Sequence, residues 1–340
     1  MYLAGDVGGT KTILALYSES RGPRSPVVET IFRSRDYEQF EQIACQFVED
    51  NDRLLVTDPI AVASIGVAGP VDHDAAKVTN LAWTVRRSLV AATLHLRIDH
   101  VLLLNDLEAT ANAVPRLTAD DIATVNTGLP MPHAPIAVIA PGTGLGQAYL
   151  TWDGVRYRPF PSEGGHVDFA PANQLQLDLL NYLYRRYRHV SYERVASGQG
   201  IPHIYEFLRD TGRAAEPADL ADAIERAADP TPVIVAAANE YPICHQSLDL
   251  FVAILGAKCG NVALAMMARG GIFLGGGIPP RILNSLQSES FMEPFTNKGR
   301  FTEMMAQIPV HVITNPKAGL LGAAHAAFLH GEKSQRTVRV

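Results

Sequence analysis

His100-Val101-Leu102-Leu103-Leu104-Asn105-Asp106-Leu107-Glu108-Ala109-Thr110-Ala111-Asn112-Ala113 decides the fold class of this 340-residue chain. Val101 to Leu104 form an unbroken apolar run, the pattern of a strand buried on both faces, and the alanine-rich run behind Asp106 has helical spacing. The junction puts Asp106 at the carboxyl end of a strand, the rim where open α/β sheets bind their ligands. A carboxylate in that place is either a chemical group or the cap of the following helix, because Asp is a favoured N-cap residue. The rest of the chain weighs between the two.

Towards the N-terminus, residues 2 to 7 and 12 to 17 are apolar runs around Gly8-Gly9-Thr10-Lys11, which reads as a hairpin. Val27 to Phe32 and Ile60 to Val67 are further strands, and Tyr37, Phe40, Ile43, Ala44 and Phe47 mark a helix between them. A mixed sheet with helices on its faces follows from that order. From about Val114 the periodicity stops and Pro115, Pro130, Pro132 and Pro135 punctuate the chain, which places a domain boundary there. Ile136 to Ala140 then enters Pro141-Gly142-Thr143-Gly144-Leu145-Gly146 and leaves through Gln147 to Leu150, repeating the plan of residues 2 to 17. Two related sheets facing each other are expected. Helices are predicted at 174–188, 199–211, 217–228 and 242–268, strands at Ile272 to Leu274 and Val310 to Ile313, a last helix from Lys317 to Leu329, and a loose tail from Arg336 to Val340.

Composition narrows the function class. The chain is 47% hydrophobic and 19% charged, with a net charge of -6, so no basic stripe for nucleic acid is expected. Cys45, Cys244 and Cys259 are odd in number and widely spaced, which reads as reduced core thiols of a cytoplasmic protein. Met1 is followed too soon by Asp6 and the glycines for a signal peptide. The apolar run Leu248 to Met267 carries Asp249, Lys258 and Asn261; since a charge at the centre of a spanning helix costs at least ~2.5 kcal/mol, a buried helix is expected and no membrane partner.

Three strands end in glycine turns, at Gly8-Gly9, Gly142-Thr143-Gly144 and Gly275-Gly276-Gly277. Each alone could be an ordinary turn; together they suggest backbone N–H groups free to approach phosphate. No GxxxxGK[ST] occurs, and no GxGxxG follows the first strand with an acid about twenty residues on, so neither a P-loop nor a dinucleotide fold is indicated. Asp6, before the first turn, could hold Mg²⁺ through water or accept hydrogen bonds from the turn itself. Lys11 could meet a phosphate or solvent. Glu163-Gly164-Gly165-His166-Val167-Asp168 lacks a second cluster at metal-ligand spacing, and suits hydrogen bonding to a polyhydroxylated ligand better. Glu193 could join it, cap the next helix, or pair with Arg194.

Asp6-Val7-Gly8-Gly9-Thr10, Leu104-Asn105-Asp106-Leu107-Glu108-Ala109, Pro141 to Gly146, Glu163 to Pro171, Glu193-Arg194-Val195, Gly275-Gly276-Gly277-Ile278, Lys298-Gly299-Arg300-Phe301 and Gly319 to Ala323 resemble, in order, the motifs of the bacterial ATP-dependent glucokinase family. The Glu-Gly-Gly-His-Val-Asp-Phe run is the most specific, whereas Asp-x-Gly-Gly-Thr alone marks the wider superfamily of actin-like sugar kinases. The resemblance implies a ribonuclease-H-like, actin-like ATPase α/β fold in two domains, 1–113 with 317–340 and 114–316, holding ATP and glucose in a cleft between them. It implies a homodimer. It implies that Asp106 is the catalytic base and that Asn105, Glu163, His166 and Glu193 hold sugar hydroxyls. Gly8, Gly9, Thr10, Gly142, Thr143 and Gly144 fall to the phosphates, Gly275 and Gly276 to the adenosine, and Gly5, Asp6 and Lys11 count with them as cofactor-binding residues. Lys11-Thr12 departs from the Asn usual after Gly-Gly-Thr and matches related kinases of the repressor and open-reading-frame type; those carry a cysteine-rich zinc motif, which is missing here.

The expected reaction moves the γ-phosphoryl of MgATP to the 6-hydroxyl of glucose, with positioning and charge neutralisation dominating. A cleft that closes on sugar would suppress ATP hydrolysis. Alternatives are a kinase for another hexose or an amino sugar, a non-catalytic sugar-sensing regulator, and an actin-like phosphohydrolase.

Overall fold

The computed structural model describes residues 1–338, with side chains through residue 332. The chain divides into two compact units, Met1–Thr118 plus the chain from Asn315 onward, and Ala119–Thr314.

In the first unit β1 (Tyr2–Val7) and β2 (Lys11–Tyr17) form the expected hairpin, and β3 (Val28–Arg33) extends it. After α1 (Phe40–Asp50) and α2 (Asp52–Thr57), β4 (Val62–Val67) pairs parallel to β1. A small antiparallel sheet follows, β5 (Val71–Asp72), β6 (Ala75–Lys77) and β7 (Thr84–Arg86), then α3 (Arg87–Thr93), β8 (Val101–Asn105) and α4 (Asp106–Ala113). The main sheet has the order β3-β2-β1-β4-β8. Register fixes the rim: Val7 lies beside Val67, and Val67 beside Asn105, so β1, β4 and β8 end level at their carboxyl ends.

In the second unit β9 (Ile122–Asn126), β10 (Ile136–Pro141), β11 (Leu145–Trp152) and β12 (Tyr157–Ser162) precede a helical stretch. That stretch comprises α5 (Gln174–Tyr184), α6 (Gly200–Asp210), α7 (Ala218–Arg226), α8 (Thr231–Ala236) and α9 (Pro242–Met266). Next come β13 (Gly271–Leu274), α10 (Leu283–Leu286), α11 (Glu289–Thr296), α12 (Thr302–Ala306) and β14 (Val310–Ile313). The sheet order β12-β11-β10-β13-β14 copies that of the first unit in pairing sense, with β9 added antiparallel beside β14. One plan used twice is what the repeated strand–glycine–strand pattern expresses.

The helix α9 is long and apolar enough to cross a membrane, yet 72% of its most apolar stretch is buried inside the protein. It packs on α11 so closely that a Cβ at Gly260 would come within 2.4–2.7 Å of the Phe295 carbonyl and the Lys298 side chain, and one at Gly256 would strike the Phe291 carbonyl. The helix stops at Met267, which adopts the left-handed conformation.

The last helix, α13 (Ala318–Val338), returns to the first sheet. Its Leu320, Ala323, Ala324 and Ala327 cover Tyr2, Ala4, Ile13 and Val62, the face opposite to that covered by Phe40, Phe47 and Val90. Small residues are needed here because α4 lies close; a Cβ on Gly322 would overlap the Ala109 carbonyl. The backbone is helical through Val338, so the tail expected from Arg336 is ordered at its start, and residues 339 and 340 lie outside the described residues. Cys244 and Cys259 are buried, as expected of core thiols, but Cys45 is exposed on α1, on the face turned away from the sheet.

Candidate active site

The rim of the first sheet carries Asp6 and Asp106. The cap of α4 is Asn105, whose Oδ1 accepts the Glu108 N–H at 2.5 Å. Capping is therefore done by the oxygen of Asn105, and Asp106 is the first helical residue. One Asp106 oxygen accepts the Leu107 N–H at 2.9 Å. The carboxylate is reachable by solvent, and desolvation by the surrounding protein raises its pKa above the ordinary aspartate value, against the lowering effect of the Leu107 N–H.

Asp6 is half-buried, and burial raises its pKa; the Lys11 ammonium opposes that rise and Asp106 adds to it. The glycine turn beyond it is closed without Asp6. The Gly8 N–H donates to the Lys11 carbonyl at 3.0 Å, and the Ser34 hydroxyl donates to the Gly8 carbonyl at 2.7 Å. Against the Asp6 carboxylate stands Gly319, where a Cβ would lie 3.4 Å from Oδ2. Gly9 lies against the Thr79 carbonyl, 2.9 Å from where its Cβ would be. Gly5 is buried within β1 between Ile65 and Leu14, so its backbone is covered by apolar side chains. Thr10 and Lys11 are exposed, and the Thr10 carbonyl accepts the Ser34 N–H at 3.1 Å.

In the second unit three side chains from two chain-distant turns meet. His166 Nε2 lies 3.9 Å from Glu163 Oε2 and 3.9 Å from Glu193 Oε2. Glu163 and His166 come from a 3-10 turn after β12, and Glu193 from a second 3-10 turn after α5. Glu193 neither caps a helix nor pairs with Arg194, whose guanidinium goes to Gln199 and the Tyr187 ring. Instead Glu193 Oε2 accepts the Leu145 N–H at 3.0 Å and fills the space that a Cβ on Gly144 would take, 2.5 Å away. Glycine at 144 thus lets the glycine turn and the acidic cluster touch. Asp168 is drawn aside by His189, at 3.0 Å. Acceptors flanking an imidazole suit vicinal hydroxyls, each of which donates one hydrogen bond and accepts up to two. Among the described residues no group of three or more His, Cys, Asp or Glu could hold a metal ion.

Beside this cluster is a cavity of about 850 Å³ whose lining includes Gly142, Thr143, Gly198, Thr231, Gly277 and Ile278. Its floor is tied by the Gly198 N–H to the Gly142 carbonyl at 2.7 Å and by the Thr231 hydroxyl to the Gly198 carbonyl at 2.7 Å. Gly276 has φ +82°, and a Cβ there would meet the Pro141 carbonyl at 2.5 Å. Gly275 donates its N–H to the Ile139 carbonyl at 2.9 Å. These two glycines turn the chain across the end of β10, and the lining itself comes from Gly277 and Ile278. The volume falls in the range of small-molecule sites, about 300–1,000 Å³. Sequence reading missed Gly198, Thr231 and Ile278 as lining; the glycine of Ser197-Gly198-Gln199-Gly200 was the one signal available.

The sheet plan used twice is that of the actin-like ATPase fold, which the sugar kinases share. The glucokinase family model matches residues 3–330. A glucokinase of Nostoc punctiforme is 40% identical over 96% of this chain and 98% of its own length, and one of Yersinia pestis is 36% identical over 94% of each. The crystal structure of a glucokinase from an Antarctic psychrotroph superposes with a TM-score of 0.82 at 30% identity, covering 96% of this chain and 98% of that one. A ROK family glucokinase from Streptomyces griseus, solved with glucose and AMPPNP, shares the fold at a TM-score of 0.58 and 20% identity, over 96% and 99% of the two chains. The chain belongs to the glucokinase family.

Proposed function

We propose that this protein transfers the γ-phosphoryl group of MgATP to the 6-hydroxyl of glucose, giving glucose 6-phosphate. The observation that carries the reading is the convergence of Glu163, His166 and Glu193 on one point, with the imidazole 3.9 Å from each carboxylate, in a chain of the glucokinase family. These three groups, with the Asn105 amide, hold sugar hydroxyls. The cavity lined by Gly142, Thr143 and Ile278 takes the nucleotide. The N–H groups of Gly9, Thr10, Thr143 and Gly144 serve its phosphates, while those of Gly8 and Gly142 close their own turns, on the carbonyls of Lys11 and Gly144.

Asp106 removes the proton from the attacking hydroxyl. Its Oδ1 accepts the Leu107 N–H while the residue stays open to solvent, and the raised pKa makes it a better acceptor once ionised. Phosphoryl transfer passes through a loose transition state, so alignment and charge neutralisation do most of the work. Asp6 fits a magnesium ion held through water. Its carboxylate is half-buried and takes no part in closing its own turn, and Mg²⁺ binds through one or two carboxylates with phosphates and waters completing the shell. That ion neutralises phosphate charge when bound. Lys11, whose ammonium acts on Asp6, supplies a second positive charge nearby.

A coupled assay with ATP, Mg²⁺ and a panel of glucose, mannose, galactose, N-acetylglucosamine and N-acetylmannosamine tests the reading. Glucose is expected to show the highest kcat/KM, because a misplaced hydroxyl leaves polar groups that the bound sugar shuts off from water unpaired. Comparable values across the panel refute glucose specificity, a preference for an amino sugar moves the assignment to that substrate, and ATP turnover without sugar refutes the kinase. The same reading carries a cytoplasmic homodimer, checked by fractionation and sedimentation equilibrium.

A further inference from the structure

The middle of α9 carries an ammonium group in otherwise apolar surroundings. Lys258 is 4% exposed. Taking a charge out of water is costly, and such a group persists where strong polar contacts offset the cost. Lys258 Nζ donates to the Gly164 carbonyl at 2.7 Å and lies 4.7 Å from the centroid of the Tyr192 ring. Burial lowers its pKa below the usual lysine value.

Both partners belong to the segments that carry the acid–imidazole cluster. Gly164 stands between Glu163 and His166. Tyr192 directly precedes Glu193, and its N–H donates to the Val167 carbonyl at 3.0 Å. One turn further along α9, Asn261 donates its side-chain N–H to the Tyr192 hydroxyl at 2.9 Å. Residues three apart share a helix face, so Lys258 and Asn261 grip the two 3-10 turns from the same side. Gly164 is held on its remaining sides. The Ser162 hydroxyl accepts its N–H at 3.1 Å, and the buried Gln147 amide occupies the place of its missing Cβ. The Gln147 amide nitrogen donates to the Tyr149 hydroxyl, while its oxygen has no partner among the described residues, so that flank carries no bond to Gly164 itself. The ammonium is the charged anchor shared by both turns.

We propose that Lys258 is a positioning residue for sugar recognition, fixing the Glu163–His166 turn against the turn that carries Glu193 so that the three side chains keep one spacing. The inference rests on the reading of those three groups as sugar ligands. Lys258 touches no substrate. It acts by removing the freedom of two loops that would otherwise be ordered only on binding.

The test is Lys258→Met, which keeps most of the side-chain volume and removes the donor and the charge. Three quantities are measured: glucose affinity by calorimetry, ADP affinity by the same method, and exchange of the His166 amide hydrogen, which donates to the Glu163 carbonyl at 2.9 Å. Glucose binding is expected to weaken about 10- to 100-fold, the span of one hydrogen bond to a charged group. ADP affinity should stay within twofold, His166 exchange should quicken, and Tm should not fall, because methionine replaces a buried charge. Glucose affinity within twofold of wild type, with unchanged exchange, overturns the proposal. So does a variant that loses ADP affinity equally and melts early, since Lys258 would then be a general structural residue. If the methionine variant does not fold, Tyr192→Leu removes the other half of the ammonium's surroundings and must weaken glucose but not ADP. A wild-type protein that binds no glucose refutes the sugar assignment, while the exchange of His166 still reports on Lys258.

Discussion

Asp106→Asn isolates proton acceptance from every other duty of the side chain. In the wild type one Asp106 oxygen accepts the Leu107 N–H, and the Thr110 hydroxyl donates to the Asp106 backbone carbonyl, both at 2.9 Å. Asparagine retains the first through its amide oxygen and the second through unchanged backbone, and Asn105 still caps α4. What the amide cannot do is take a proton. Loss of a general base lowers kcat on the order of 10²–10⁴-fold, about 3–5 kcal/mol of barrier at ~1.36 kcal/mol per tenfold. Stability shifts in the other direction. Burial raises the Asp106 pKa, so the folded state prefers the protonated carboxyl. That preference is complete below the unfolded value of about 3.9 and is lost as pH rises through the folded value. At neutral pH the ionised wild type therefore bears a cost that asparagine lacks. The Tm difference, variant minus wild type, should be more positive at pH 7.5 than at pH 4.5. Coupled kinetics and thermal melts at the two pH values make the check. A folded variant keeping kcat/KM within tenfold of wild type removes the base role, and a Tm difference that grows as pH falls refutes the burial argument.

Four further outcomes are expected. In wild type the acid limb of kcat/KM should report an apparent pKa above the ordinary aspartate value of about 3.9, because activity requires ionised Asp106 and burial raises it; an initial-rate pH profile measures this. His166→Ala should raise KM for glucose about 10-fold or more and leave KM for ATP within twofold, by removing a donor 3.9 Å from two carboxylates. Gly144→Ala puts a methyl 2.5 Å from Glu193 Oε2, displacing it from the Leu145 N–H, so calorimetry should show weakened glucose binding in a protein that still binds ADP. Gly276→Ala should lower stability by about 1–2 kcal/mol from left-handed backbone alone and by more from the Pro141 carbonyl at 2.5 Å, seen as a reduced Tm and a raised KM for ATP.

Where backbone geometry demands one residue type, the sequence was easy to read. The apolar runs of β1, β8, β10 and β13 give way to a glycine turn or to Asn-Asp, and each change falls at or within a residue of a strand end. Glu163, His166 and Glu193 were linked by a known motif order, while their meeting depends on two 3-10 turns with no periodic signal. Edge strands were harder. β12 contains Pro159 and Pro161, which cannot donate to a ladder and are tolerated at the sheet margin. β5, β6 and β7 are two or three residues long, too short for alternation to show. The nucleotide cavity draws on Thr231 and Ile278 from separate elements, and no local pattern announces a wall assembled that way. Lys258 was visible only as a charge that argued against a membrane span.

The return of α13 to the first sheet governs the order in which the protein can be made. A nascent chain emerging from the ribosome completes Ala119–Thr314 while the first unit still lacks its closing helix. Until residues 318 to 327 have been translated, Tyr2, Ala4, Ile13 and Val62 present an uncovered apolar face. The unit begun first is thus finished last, and a message truncated before codon 318 should yield an aggregating product even though every proposed ligand-binding side chain has already been synthesised.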